Sequence, residues 1–326
     1  MPIVDDQPGV VVLDVTLRDG GYVNAHGWSS DDAARLVRAS AEAGVRIIEV
    51  GYLRPGRYAA DGMSRPAACC PPAYLERLRD QAPAETVLAV MAHRTDVPPS
   101  WYRTVAALGV GMVRLPTGIA AWESAADDIT RHIDAVHEAG MRAAVNIIRV
   151  SEVDLGALAR IAAGLDRAGP DVVYVADSNG SLFPERAAQT VHIVAAETAV
   201  QLGFHAHDGL RLAFSNTLAA VDAGCRYVDA SLGGLGKGGG NLRLELIASY
   251  LVSRRAADFD LVPLARAAAE IIEPMRGGSS IAECDSIVSG LLDLNTDEIA
   301  ELRGGMTGGL IPLLAGRTPA IPAGAR

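Results

Sequence analysis

The sequence holds 326 residues, with 29 lysines and arginines against 39 aspartates and glutamates, and its net charge of −10 disfavours nucleic acid or an acidic membrane surface as partner. Hydrophobic residues make up 49% of it, enough to fill a large core, yet no run of about 18 uninterrupted apolar residues offers a membrane span. The opening MPIVDDQPG lacks the basic and apolar regions of a secretory signal, and Cys69, Cys70, Cys225 and Cys284 form neither a CxxC pair nor a disulfide framework, so a cytoplasmic protein with a small-molecule ligand is expected.

In chain order, short β-branched runs mark eight strands, at 10–15, 46–50, 86–91, 111–115, 141–148, 171–176, 200–204 and 226–231. Alanine-rich stretches with helical spacing lie between them, for example 30–43, 127–139, 153–168 and 211–223. Gly44, Gly109, Gly140, Gly169 and Gly224 each precede a strand, where a left-handed residue ends a helix and turns the chain. The strands are continuous apolar runs, as parallel strands buried on both faces are. Eight βα units in succession favour an α/β fold closed as a (β/α)₈ TIM barrel over residues 1–255, with an open doubly wound sheet as the alternative. A short helical C-terminal extension is expected over 256–312, and a disordered tail, ending TPAIPAGAR, over 313–326.

In such a barrel, catalytic groups project from the carboxyl ends of the strands and the loops that follow. Those positions carry Arg18, Asp19 and Tyr22 after the first strand, Glu49 and Tyr52 on the second, then His93, Arg114, Asn146, Asp177 with Ser178, and His205 with His207. After the eighth comes the run GGLGKGGGN, which contains Lys237 and ends at Asn241. Residues i and i+2 of a strand share a face, so His205 and His207 can present two imidazoles to one metal. By itself an HxH pair more often marks two exposed or core-satisfied histidines than a metal site; its place at a strand end favours the metal. A carboxylate from Asp19 and an oxygen from Asn241 would complete an open N/O shell suited to Mg²⁺, Mn²⁺ or Zn²⁺. Arg18 beside Asp19 is, as a dipeptide, a surface turn with an ion pair. Behind a buried strand it is instead poised to share charge developing on a substrate oxygen. The glycine run lacks GxxxxGK[ST], which argues against a nucleotide loop, and Lys237 within it either meets an anionic substrate group or is solvated.

TLRDGG, EVGY, YVADSNGSLFP and FHAHDGLRLAFSNTLAAVDAGCRYVDASLGGLGKGGGNLRLE, spread over residues 10–255, together resemble the DRE-TIM metallolyases, the HMG-CoA-lyase-like superfamily. The stretch from His205 to Glu245 is most similar to 4-hydroxy-2-oxovalerate aldolases, which cleave a 4-hydroxy-2-oxoacid to pyruvate and an aldehyde. The resemblance implies a divalent metal, Mn²⁺ or Mg²⁺ foremost and Zn²⁺ as the alternative, on Asp19, His205 and His207, with Asn241 as a further ligand or near neighbour. It also implies an α-keto acid chelating that metal, retro-aldol cleavage to a pyruvate enolate, and Arg18 at the enolate oxygen. Glu49, Tyr52, Arg114, Asn146, Asp177, Ser178 and Lys237 then stand as substrate-binding candidates.

Two positions depart from the aldolases. Their RDGxH histidine is Tyr22 here, and no tyrosine follows Tyr250 where they use one near the C-terminus, so proton transfer falls to Tyr22, His26 or His93. The RDGEQ of Claisen-type synthases is not matched either. The expectation is an aldolase acting next to a 2-oxoacid, with an acyl-CoA:2-oxoacid condensing synthase and a non-catalytic ligand-binding barrel as alternatives. A homodimer is expected, and the aldehyde dehydrogenase partner of catabolic aldolases is not carried over, because the tail is short.

Overall fold

In a computed structural model, which describes residues 9–275, 280–305, 310 and 313, eight parallel strands follow one another around a closed barrel. They are β1 (Val11–Asp14), β2 (Ile47–Tyr52), β3 (Val87–Met91), β4 (Val110–Thr117), β5 (Arg142–Ile147), β6 (Val172–Asp177), β7 (Gln201–Ala206) and β8 (Tyr227–Ala230). Closure comes from β1 against β8, with Val11 opposite Tyr227 and Asp14 opposite Ala230, which rules out the open sheet. The helices are α1 (Ser30–Glu42), α2 (Tyr58–Asp61), α3 (Pro72–Gln81), α4 (Trp101–Ala107), α5 (Ile119–Glu138), α6 (Leu155–Ala168), α7 (Pro184–Glu197), α8 (Ala213–Asp222), α9 (Leu244–Ser253), α10 (Leu261–Ala267), α11 (Ser280–Leu291) and α12 (Thr296–Gly305). No helix, among the described residues, is long and apolar enough to cross a membrane.

Local chemistry sets the boundaries. The Asp154 carboxylate accepts the Ala157 N–H at 2.9 Å and so starts α6, which ends at Gly169 with φ +68° and its N–H donating to the Leu165 carbonyl. The other four junction glycines also have positive φ, as their position ahead of strands requires. Three helix starts differ from the sequence expectation, that of α6 by two residues because Asp154 is its cap. Arg211 takes φ +61°, outside the helical region, so α8 begins only at Ala213. α5 begins at Ile119 rather than near 127, with a break at Ala125, because Trp122 fills a space above Gly164 that a Cβ there would occupy.

One apolar layer lies between strands and helices, built around residues such as Ile48, Val50, Val113, Leu115, Phe204 and Val228. A second, smaller cluster fills the lower lumen of the barrel: Leu13, Val15, Ile47, Ala89, Met112, Ala144, Val172, Tyr174 and Tyr227. Leu264, Ala267, Ile271 and Ile272 join the first layer, so the start of the expected C-terminal extension shares the barrel's core. Val288, Leu294 and Leu310 form a separate small cluster, and the expected tail lies, beyond Leu313, outside the described residues.

Candidate active site

Successive inward positions on a strand lie two residues apart. Going up the lumen, Ile47 is followed by Glu49 on β2, Met112 by Arg114 on β4 and Tyr227 by Asp229 on β8, while β7 leads through His205 to His207. The lumen therefore changes from apolar to charged within one inward step.

The charged layer is a chain of shared hydrogen bonds. Fully buried Arg114 donates to Glu49 Oε2 at 3.1 Å and to Asp229 Oδ2 at 2.6 Å. Glu49 Oε2 also accepts from Arg18 Nε at 2.7 Å, and the Arg18 guanidinium pairs in turn with the Asp19 carboxylate. At the other end, Asp229 Oδ2 accepts from His205 Nδ1 at 2.8 Å. Burial opposes the charge on Asp19 and on Asp229, yet Arg18 with the two histidines holds the first, and Arg114 with His205 the second, below the usual carboxylate range.

These partners fix both imidazoles. A carboxylate or carbonyl oxygen can only accept, so His205 donates from Nδ1 to Asp229 and His207 donates from Nδ1 to the Gly240 carbonyl at 3.1 Å. Burial pushes the His207 pKa down to about 4, which keeps it neutral near pH 7. The Nε2 atoms then face each other at 3.3 Å, 3.8 Å and 4.0 Å from the two oxygens of Asp19. The Asn241 amide donates to Asp19 Oδ1 at 3.0 Å and to the Leu235 carbonyl at 2.9 Å, which leaves Asn241 Oδ1 buried without a partner. Two imine nitrogens, a carboxylate and an unpartnered amide oxygen, with both Nδ1 atoms anchored from behind, form a donor set that fits a divalent cation. Gly236 is glycine for a spatial reason: a Cβ there would run into the Asn241 amide.

An aromatic cluster borders this centre. The hydroxyls of Tyr22 and Tyr52 are 2.7 Å apart, and His93 stacks on Tyr52 with ring centroids 6.0 Å apart. The Arg54 guanidinium lies 4.3 Å from the Tyr52 ring centroid and pairs with Asp96. His26, in a left-handed backbone at φ +59°, donates from Nε2 to the Arg18 carbonyl at 2.9 Å. Burial raises the Tyr52 pKa well above its ordinary value and, with Arg54, lowers that of His93. Tyr22 is 48% exposed and Tyr52 is buried, so Tyr22 is the phenol open to a ligand.

The structure thus brings together Arg18, Asp19, Glu49, Arg114, His205, His207 and Asn241, with Tyr22, Tyr52 and His93 alongside. Lys237 adjoins them through its backbone N–H, 3.5 Å from Asp19 Oδ1. Asn146 is buried on β5 with its Oδ1 unpartnered. Asp177 and Ser178 are taken up by their own surroundings: Asp177 accepts the N–H groups of Ser181 and Leu182 at 3.1 and 3.2 Å, and Ser178 Oγ accepts that of Arg149 at 2.9 Å. Sequence reasoning passed over Asp229; its signal was an acid at an inward position within the apolar run Tyr227–Ala230.

The HMGL-like family model matches residues 119–271. The 4-hydroxy-2-oxovalerate aldolase of Thermus thermophilus is 32% identical over 294 residues, covering 86% of this chain and 80% of its own. Among solved structures, the N-terminal domain of a Bacteroides vulgatus protein superposes with a TM-score of 0.77 at 24% identity, over 93% of this chain and all of that domain. The carboxyl transferase domain of Rhizobium etli pyruvate carboxylase, solved with pyruvate, gives 0.71 at 21% identity, over 92% of this chain and 54% of that one. At these identities the two structures establish the likeness of fold alone.

Proposed function

This chain belongs to the HMGL-like family of DRE-TIM metallolyases, and on that footing we propose that it is a divalent-metal-dependent aldolase that makes or breaks a carbon–carbon bond next to a 2-oxoacid of the pyruvate type. The observation that carries this reading is the convergence of Asp19, His205 and His207 with Arg18 paired to the same carboxylate. A divalent ion held by these three residues and Asn241, with Mn²⁺ or Mg²⁺ preferred to Zn²⁺, supplies Lewis-acid polarisation of the 2-oxo group.

The protein's own groups do the rest. In cleavage, the 4-hydroxyl loses its proton, the C3–C4 bond breaks to release the aldehyde, and the electron pair moves toward the 2-oxo oxygen. Arg18, held at Nε by Glu49, offers a preorganised cation to the charge developing there, and no reorganisation is needed at the moment of reaction. Tyr22, as a phenolate that has given its own proton to solvent, takes the hydroxyl proton and later returns it to C3, which regenerates the phenolate. Burial keeps Tyr52 protonated, so its hydroxyl donates to the Tyr22 oxygen and stabilises it while the proton is away. We further infer a cytoplasmic homodimer that works without an aldehyde dehydrogenase partner.

The test is proton NMR of pyruvate in D₂O with Mg²⁺ or Mn²⁺. Metal-dependent loss of the methyl signal is expected, slowed by about 10³-fold in Asp19→Asn. Full exchange in that variant would remove the reading.

A further inference from the structure

The arginines around the site are matched by acids: Arg18 by Asp19 and Glu49, Arg114 by Glu49 and Asp229, Arg54 by Asp96, and Arg149 by Asp297 at 2.8 Å. Lys237 differs, since its ammonium makes no hydrogen bond or ion pair with any group among the described residues. It is half-buried and carries the one side chain in the run Gly236 to Gly240. Its backbone is pinned: the N–H lies against Asp19, the carbonyl accepts from Gly240 at 3.1 Å, and the Gly240 carbonyl accepts from Asp208 at 2.9 Å.

The charged groups that act most strongly on this ammonium include Asp19, Arg149, Asp297 and Glu152, and His207 feels it in turn. Each acid among them is engaged elsewhere, Asp19 with Arg18, Asp297 with Arg149, and Glu152 with the Asn179 amide at 3.1 Å. A half-buried cation left over at the rim of a site is a receptor for an anion brought by a ligand. A single ammonium, set among arginines that acids already match, answers to a single negative charge.

We propose that Lys237 receives a carboxylate carried by the acceptor aldehyde at the end remote from its carbonyl, so that aldehydic acids are preferred to alkanals. The inference rests on the aldolase reading, in which the donor's own carboxylate and 2-oxo oxygen are engaged at the centre formed by Asp19, His205, His207 and Arg18. The anion that meets Lys237 therefore comes from the other substrate.

The experiment compares succinic semialdehyde with butanal, an uncharged aldehyde of the same chain length, as acceptors for pyruvate. The wild-type protein is expected to favour the semialdehyde in kcat/KM by about 10²-fold, the size of one charge-assisted hydrogen bond. Lys237→Met collapses that ratio toward one, and Lys237→Arg keeps most of it. Calorimetry with the unreactive amides succinamate and butyramide reports the same contrast without turnover. A ratio near one in the wild type, or one that survives in Lys237→Met, overturns the proposal. So does a rise in KM for pyruvate with the ratio unmoved, which assigns Lys237 to the donor's carboxylate. Pyruvate deuterium exchange run in parallel separates the two readings: without exchange in the wild type the aldolase itself fails, and with exchange but no acceptor preference only the role of Lys237 fails.

Discussion

The lower and upper halves of the barrel lumen are built from the same strands, one inward step apart, and are held together by different physics. Below, Leu13, Ile47, Met112, Val172 and Tyr227 fill space, and each contributes by the apolar area it removes from water. Above, Arg18, Glu49, Arg114, Asp229 and His205 form one continuous series in which Glu49 Oε2 and Asp229 Oδ2 each serve two donors. Taking such charges out of water costs free energy that their mutual attraction only partly returns, so the upper layer is held in place by the packing beneath and around it. In exchange it sets the tautomer of His205 and aims the Arg18 guanidinium. Loss in the lower layer should be graded and local, whereas loss in the upper layer should reach the chemistry several residues away.

Two substitutions sharpen that contrast. Asp229→Asn touches no substrate, yet it removes the charged acceptor behind His205. Metal affinity is expected to fall by about 10- to 100-fold, read by titration calorimetry with Mn²⁺. Unchanged affinity would show that His205 needs no anchor. Met112→Ala, two residues below Arg114, is expected to cost about 2–5 kcal/mol of stability in denaturant unfolding while the metal affinity of the folded protein stays within about twofold of the wild type. A large change in affinity from this position would mean that the two layers are not separable.

Much of this division was legible in the sequence. Continuous apolar runs, glycines at the junctions and the alternation of strands with helices gave eight βα units, and reading residues off the strand ends recovered Arg18, Asp19, Glu49, Arg114, His205, His207 and Asn241. Partnership was not legible, because it depends on which strands become neighbours across the lumen. Asp229 reaches His205 from the adjacent strand and Arg114 from across the barrel, and nothing local in Tyr-Val-Asp-Ala announces either contact. The start of α5 was hidden for a similar reason, since Trp122 is placed by a gap at Gly164 on another helix. Backbone acceptors such as the carbonyls of Gly240 and Leu235 carry no side-chain signal at all.

Asp177 marks the edge of the charged layer, and pH offers the smallest but cleanest test of where that edge lies. Its position at the end of β6 suggested a substrate contact, while its carboxylate accepts two N–H groups of the following turn and touches no site cation. Burial raises its pKa to about 6 from an ordinary 3.8. Between those values the folded chain holds a proton that the unfolded chain has lost, so this group's contribution to stability falls as pH rises from about 4 to about 6 and is level above that. An asparagine side chain at this position would carry no such dependence, but its single amide oxygen can serve both turn N–H groups less well, a loss of about 1 kcal/mol at any pH. Asp177→Asn is therefore expected to melt below the wild type near pH 4 and to gain on it steadily up to about pH 6. Across that range KM for the 2-oxoacid should stay within about twofold. A parallel pair of melting curves would mean that Asp177 titrates normally, and a large rise in KM would move it out of the turn and into the site.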